Sequence, residues 1–131
     1  MGEVAGLLDT HTLLWWLFDE PKLSVRARAV LADPSREILV SSASAWEIAT
    51  KHRLGKLPDA HVLVTDIAGW IRKAGFSSLP ITIDHAQRAG SWTAQHRDPF
   101  DRMLAAQAEI ERVALITNDP VFAQFGLHAL W

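Results

Sequence analysis

DPFDRMLAAQAEIERVALITNDP, Asp98–Pro120, holds the reading that decides the fold. Pro99 to Arg112 carries a helical pattern. Pro99 suits the first helical position because it lacks an N–H, and Asp98 before it suits the cap. Val113-Ala114-Leu115-Ile116-Thr117 is then the clearest strand of the chain. Asp119 follows it by two residues, with Pro120 starting a short helix to Phe125. Helix, strand and strand-end acid in that order are the signature of a parallel sheet with helices on its faces.

Working outward, the same alternation recurs. Gly6-Leu7-Leu8-Asp9 reads as a buried strand ending in a carboxylate, and His11 to Phe18 as a helix apolar around its circumference. Ser24 to Ala32 is a capped helix, and Ile38 to Ser41 a second strand. Ser44 to Leu54 reads as a helix stopped by Gly55, with Ser44 and Glu47 spaced as a capping box. Val62 to Ala74 reads as a helix closed by Gly75, Leu79 to Ile83 as a short strand interrupted at Pro80, and Asp84 towards Trp92 as a helix. His128 to Trp131 reads as an edge strand. The expected fold is one α/β domain over residues 1–131, a three-layer α/β/α sandwich around a parallel sheet.

The chain has 131 residues, with 13 Lys and Arg, 15 Asp and Glu, and a formal net charge of −2. That balance excludes bulk electrostatic adhesion to nucleic acid as a mode of action. With no cysteine, disulfide frameworks and cysteine zinc sites are excluded. No apolar run approaches the ~20 residues of a membrane helix. Met1-Gly2-Glu3-Val4-Ala5 lacks the basic start and apolar stretch of a signal peptide, so the expected location is the cytoplasm.

In open parallel sheets, ligands bind beyond the carboxyl ends of the strands. Asp9, Glu47, Asp98, Asp101 and Asp119 are all expected near that edge. Singly, each acid is explained as a helix cap or as a partner of the helix dipole. Together they repel one another, and an all-oxygen cluster is what Mg²⁺ or Mn²⁺ requires. Such an ion would orient a phosphodiester and lower the pKa of a water. Asp98, as cap, is expected to fix the helix start, with a role behind the metal ligands or at a second metal open to it, and Asp101, one turn in, to face the ion. Arg97 and Arg102 flank the pair and are the expected phosphate contacts; His96 adjoins it. Lys51, His52, Arg53 and Lys56 form a basic run in which an ion pair between Glu47 and Lys51 is the plainer reading. Of Trp15 and Trp16, one is expected in the core and the other on a contact surface.

Leu7-Leu8-Asp9-Thr10-His11, Ser44-Ala45-Trp46-Glu47-Ile48-Ala49, Asp98 to Ala108 and Ile116-Thr117-Asn118-Asp119 resemble, in order and spacing, the successive motifs of PIN domains. The likeness is closest to VapC-type toxins of type II toxin–antitoxin systems and covers nearly the whole chain. It implies a Mg²⁺- or Mn²⁺-dependent endoribonuclease, a VapB-like antitoxin that occludes the site, and a homodimer. It also implies catalytic and metal-holding roles for Asp9, Glu47, Asp101 and Asp119, and a substrate-side hydroxyl at Thr117. A haloacid-dehalogenase-like phosphotransferase would need a second Asp two residues after Asp9, where His11 stands. A non-catalytic domain of the same fold, binding RNA or protein, is disfavoured by the intact acids.

Overall fold

The computed structural model describes residues 3–131; Met1 and Gly2, the first two residues of the leader reading, lie outside the described residues. Five strands, β1 Val4–Leu8, β2 Glu37–Ser41, β3 Ser77–Leu79, β4 Leu115–Ile116 and β5 Ala129–Leu130, form one sheet. Their spatial order is β3-β2-β1-β4-β5, with all neighbours parallel. The chain builds outward from β1 on one side and returns to build on the other. The strand order therefore reverses between β1 and β4, where open α/β sheets hold their ligands.

Alternation along the strands splits the core in two. Leu8, Ile38, Val40 and Ile116 face one layer, with α1 Thr10–Leu17, α2 Val25–Ala32 and α4 Ile67–Lys73. Leu7 and Leu115 face the other, with α6 Pro99–Glu111 and the 3₁₀ turn Pro120–Phe125. α3, Ser42–Arg53, joins the two, with Ala43 in the second core and Ile48 in the first. α5, Ile83–Ser91, lies against α6. The sandwich expected from the sequence is the one observed.

Gly6 lets β1 and β4 approach. A Cβ there would stand 2.7 Å from the Ala114 carbonyl oxygen and 2.9 Å from Ile116 Cγ1. The close ladder continues past β1, where the Asp9 N–H donates to the Ile116 carbonyl at 3.2 Å.

Several boundaries differ from the sequence reading. α3 starts at Ser42 because the Ser41 hydroxyl, accepting from the Ala43 N–H, is its cap; Ser44 lies inside the helix, and the Ser44–Glu47 capping box does not form. The segment expected as a helix from Val62 becomes a 3₁₀ turn, Leu63–Thr65, and α4 begins only after Asp66, whose carboxylate accepts from the Gly69 N–H. β3 lies earlier than the expected Leu79 to Ile83 and shares only Leu79 with it; the strand stops before Pro80, which has no N–H for the ladder. β4 shortens to Leu115–Ile116 because Arg112, in the left-handed region at φ 58°, and the next residues turn the chain out of α6. Trp15 and Trp16 are both partly buried against the first core, one edge-on to Trp131 and the other tilted on Phe76, so neither is wholly core or wholly surface.

Candidate active site

Asp9 leaves β1 at the strand reversal, and its carboxylate caps α1, accepting from the Thr12 N–H at 2.8 Å. Its other oxygen accepts from the Thr117 hydroxyl at the end of β4. The Thr117 oxygen in turn accepts from the Asp119 N–H at 3.0 Å, and Asp119 caps the turn that follows, accepting from the Val121 N–H. Asp9, Thr117 and Asp119 are thus one chain of hydrogen bonds across the strand reversal. Asp9 and Thr117 are buried. Burial pushes the Asp9 carboxyl above the ordinary carboxylate range; the Thr117 hydroxyl, the Thr12 N–H and the His11 ring pull the other way.

Glu47 and Asp101 come from helices. Ala43 and Glu47 lie four apart on the face of α3 that meets α6, where Asp101, Leu104, Ala105 and Ala108 share a face. The small residues let the helices close up. Asp101 accepts from His96 Nε2 at 2.8 Å. Burial raises its pKa first of all; the His96 hydrogen bond lowers it, and the charges of Asp98 and Glu47 raise it further. Asp98 is the α6 cap, one oxygen accepting from the Phe100 and Asp101 N–H groups at 2.8 and 3.1 Å.

Glu47 is 2% exposed. One oxygen accepts from the Lys51 ammonium, the helical ion pair expected from the spacing. The other, Oε1, is buried with no hydrogen-bond partner. An unmatched buried acceptor costs about 1–3 kcal/mol, and more when charged. The two halves of the site are joined through Thr10 Oγ1 and Ser44 Oγ, 3.0 Å apart, one residue after Asp9 and one turn before Glu47.

As their side chains stand, the acids do not close into a finished cage. Among the described residues, no three His, Asp or Glu side chains are grouped closely enough to hold an ion. The chemistry of the donors nonetheless fits a hard divalent cation. They are oxygens in a cysteine-free chain, two of the acids are held above their ordinary pKa by burial, and one buried oxygen lacks any donor.

One expectation is corrected. The Arg102 guanidinium donates to the backbone carbonyls of Ala89, Ala94 and His96, each at 2.8 Å, and to that of Trp92. It staples the segment between α5 and α6 and is not free to grip a phosphate. Carbonyl contacts of this kind leave no mark in a sequence. Arg97, at the end of the stapled segment, makes no ion pair among the described residues. The sequence reading also passed over the Thr10–Ser44 link and buried His85, which accepts from the Thr82 N–H through Nδ1 and meets Glu111 through Nε2. The Thr82–His85 spacing of a helix cap was the available signal.

Among solved structures, a VapBC2 complex of Rickettsia felis, bound to a promoter DNA fragment, matches with TM-score 0.68 at 15% identity, covering 95% of this chain and 96% of that one. A toxin–antitoxin complex from Klebsiella pneumoniae matches with TM-score 0.53 at 20% identity, over 87% and 86%. These likenesses are of fold. In sequence, the chain is 41% identical over 73 residues to Ribonuclease VapC16 of Mycobacterium tuberculosis, a match covering 53% of this chain and half the length of that relative. The model of the PIN domain matches residues 6–127, a span that begins in β1, ends past the last 3₁₀ turn, and contains every acid placed above, so the chain belongs to the PIN-domain family.

Proposed function

We propose that the protein is a divalent-metal-dependent endoribonuclease, a toxin restrained by a cognate antitoxin. The observation that carries this reading is Glu47 Oε1, a buried acceptor without a donor, on a side chain whose charge is felt at Asp101. Family membership and the likeness to a ribonuclease support it.

Asp9, Glu47, Asp101 and Asp119 are the residues that would hold Mg²⁺ or Mn²⁺. Bound there, the ion supplies Lewis-acid charge for the phosphoryl oxygens and eases deprotonation of a water. The chain's own part is positioning. Thr117 fixes the Asp9 carboxylate and the Asp119 backbone together, and His96 holds Asp101. Asp98 sets the start of α6, and Arg97 offers a cation to the RNA backbone. Water attacks the phosphorus in line, the P–O3′ bond breaks and O3′ takes up a proton, so the products carry a 5′-phosphate and a 3′-hydroxyl.

RNA incubated with the protein and Mn²⁺ should be cut, and chelator should stop it. Cleavage that survives chelation, or 2′,3′-cyclic phosphate ends, would refute the assignment. The antitoxin, VapB-like, is expected to bring a basic side chain into the acidic patch, which favours cations when metal-free. We assign the apolar helix α1, with Trp15 and Trp16, as its additional contact, and a homodimer as the working form, acting in the cytoplasm.

A further inference from the structure

Trp46 precedes Glu47 and is 60% exposed, an unusual position for an indole beside a buried acid. Phe100 precedes Asp101. The two rings meet edge to face, centroids 4.9 Å apart. They flank a hollow of about 180 Å³ whose walls include Ile81, Met103 and the Arg97 side chain. The aromatic pair therefore sits one residue from each of two acids of the candidate site. The guanidinium there has no carboxylate partner among the described residues.

We propose that this hollow is a nucleobase subsite, in which one base of a single-stranded RNA stacks on Trp46 and meets Phe100 edge-on, while Arg97 meets an adjoining phosphate. The inference rests on the ribonuclease reading. Single-stranded RNA brings a flat apolar ring and an anion a few bonds apart, and the hollow offers an aromatic wall and a cation at matching proximity. A second copy of the chain could cover the indole, but a contact between copies gives no reason for a guanidinium without a carboxylate partner in the wall of the hollow. The subsite would bias which base lies near the cut bond, because Trp46 and Phe100 are carried by the same helices, α3 and α6, as Glu47 and Asp101.

The test is photocrosslinking with a hexaribonucleotide carrying 4-thiouridine at one position at a time, with Ca²⁺ in place of Mg²⁺ to slow cleavage. Binding to the full-length chain is measured alongside. Crosslinks are expected on Trp46 or Phe100 from one or two positions only. Trp46→Ala should raise Kd about ten-fold and Trp46→Phe should restore most of it. Arg97→Gln should weaken binding and lower its salt dependence by about one phosphate contact. Circular dichroism checks that each variant folds, and sedimentation reads the oligomeric state. Crosslinks confined to other elements, or unchanged Kd in folded Trp46→Ala, overturn the subsite. So does a Trp46→Ala variant that loses a dimer yet binds the oligonucleotide as before. These readouts do not depend on cleavage. Absence of RNA hydrolysis in Mn²⁺ would strike the ribonuclease reading alone, and loss of the crosslinks would strike the subsite alone.

Discussion

The strand-end half of the site and the helix-borne half are built differently. Asp9 and Asp119 are tied by backbone N–H groups and by the Thr117 hydroxyl, which are neutral partners on a rigid sheet edge. Glu47 and Asp101 are held by Lys51 and His96, side chains that carry or can carry positive charge, and Glu47 keeps one oxygen without a partner. Neutral donors fix geometry whatever the charge state of the site. Cationic partners offset carboxylate repulsion and can be exchanged for another cation. In the proposed function the strand half sets the frame, and the helix half is where an arriving ion would replace protein cations.

The largest expected effects come from neutralising one acid in each half. Asp9→Asn and Asp101→Asn should each lower RNA cleavage in Mn²⁺ by well over about a hundred-fold, beyond the 10- to 100-fold typical of residues that merely orient ligands. Asn can still cap α1, so the Asp9 variant should stay folded. Full cleavage by either variant at low Mn²⁺ breaks the pairing of the halves.

The next contrast sharpens it. Thr117→Val removes the hydroxyl that ties Asp9 to Asp119 and should cost about 10- to 100-fold in Mn²⁺ affinity. His96→Gln, which keeps a donor, should change affinity much less, by roughly a few-fold on that scale. Calorimetric titration decides between them; a larger loss at His96 than at Thr117 would reverse the roles of the two halves.

The smallest effects are on stability. Asp98→Ala removes the α6 cap and should cost about 0.5–2 kcal/mol while cleavage persists below the melting temperature. Asp101→Ala should abolish cleavage and leave the melting temperature level or higher. The sign follows from its raised pKa. Between the unfolded and folded pKa values the native state binds more protons, so stability falls as pH rises through that window and stays lowered above it. Metal-free wild type should therefore melt lower at neutral pH than just above the ordinary carboxylate range, with a shallower slope in Asp101→Ala. Opposite outcomes for Asp98 and Asp101 would show the pair assigned backwards.

The helix–strand alternation made the sheet legible, because apolar runs of strand length ending in Asp9 and Thr117 have few other folded uses. Asp98-Pro99 and Asp119-Pro120 announced their helix starts through Pro chemistry, and both form. The start of α3 was misread because Ser41, Ser42 and Ser44 are all competent caps and only the end of β2 selects among them. Arg102 was misread for a deeper reason. An arginine on backbone carbonyls and an arginine awaiting phosphate look the same in sequence; three of the four carbonyls it meets belong to the loop after α5, whose path is set by packing, and the fourth, of Ala89, to α5 itself. The unmatched oxygen of Glu47 was likewise invisible, since it depends on how closely α3 and α6 approach.

Anomalous scattering from a Mn²⁺-loaded crystal tests the central claim most directly. The expected result is a manganese peak with carboxylate ligands from both halves, Asp9 with Asp101 or Glu47, and Lys51 drawn off the Glu47 carboxylate. Peaks only at surface carboxylates, or one held by a single half with Lys51 still paired to Glu47, would contradict it.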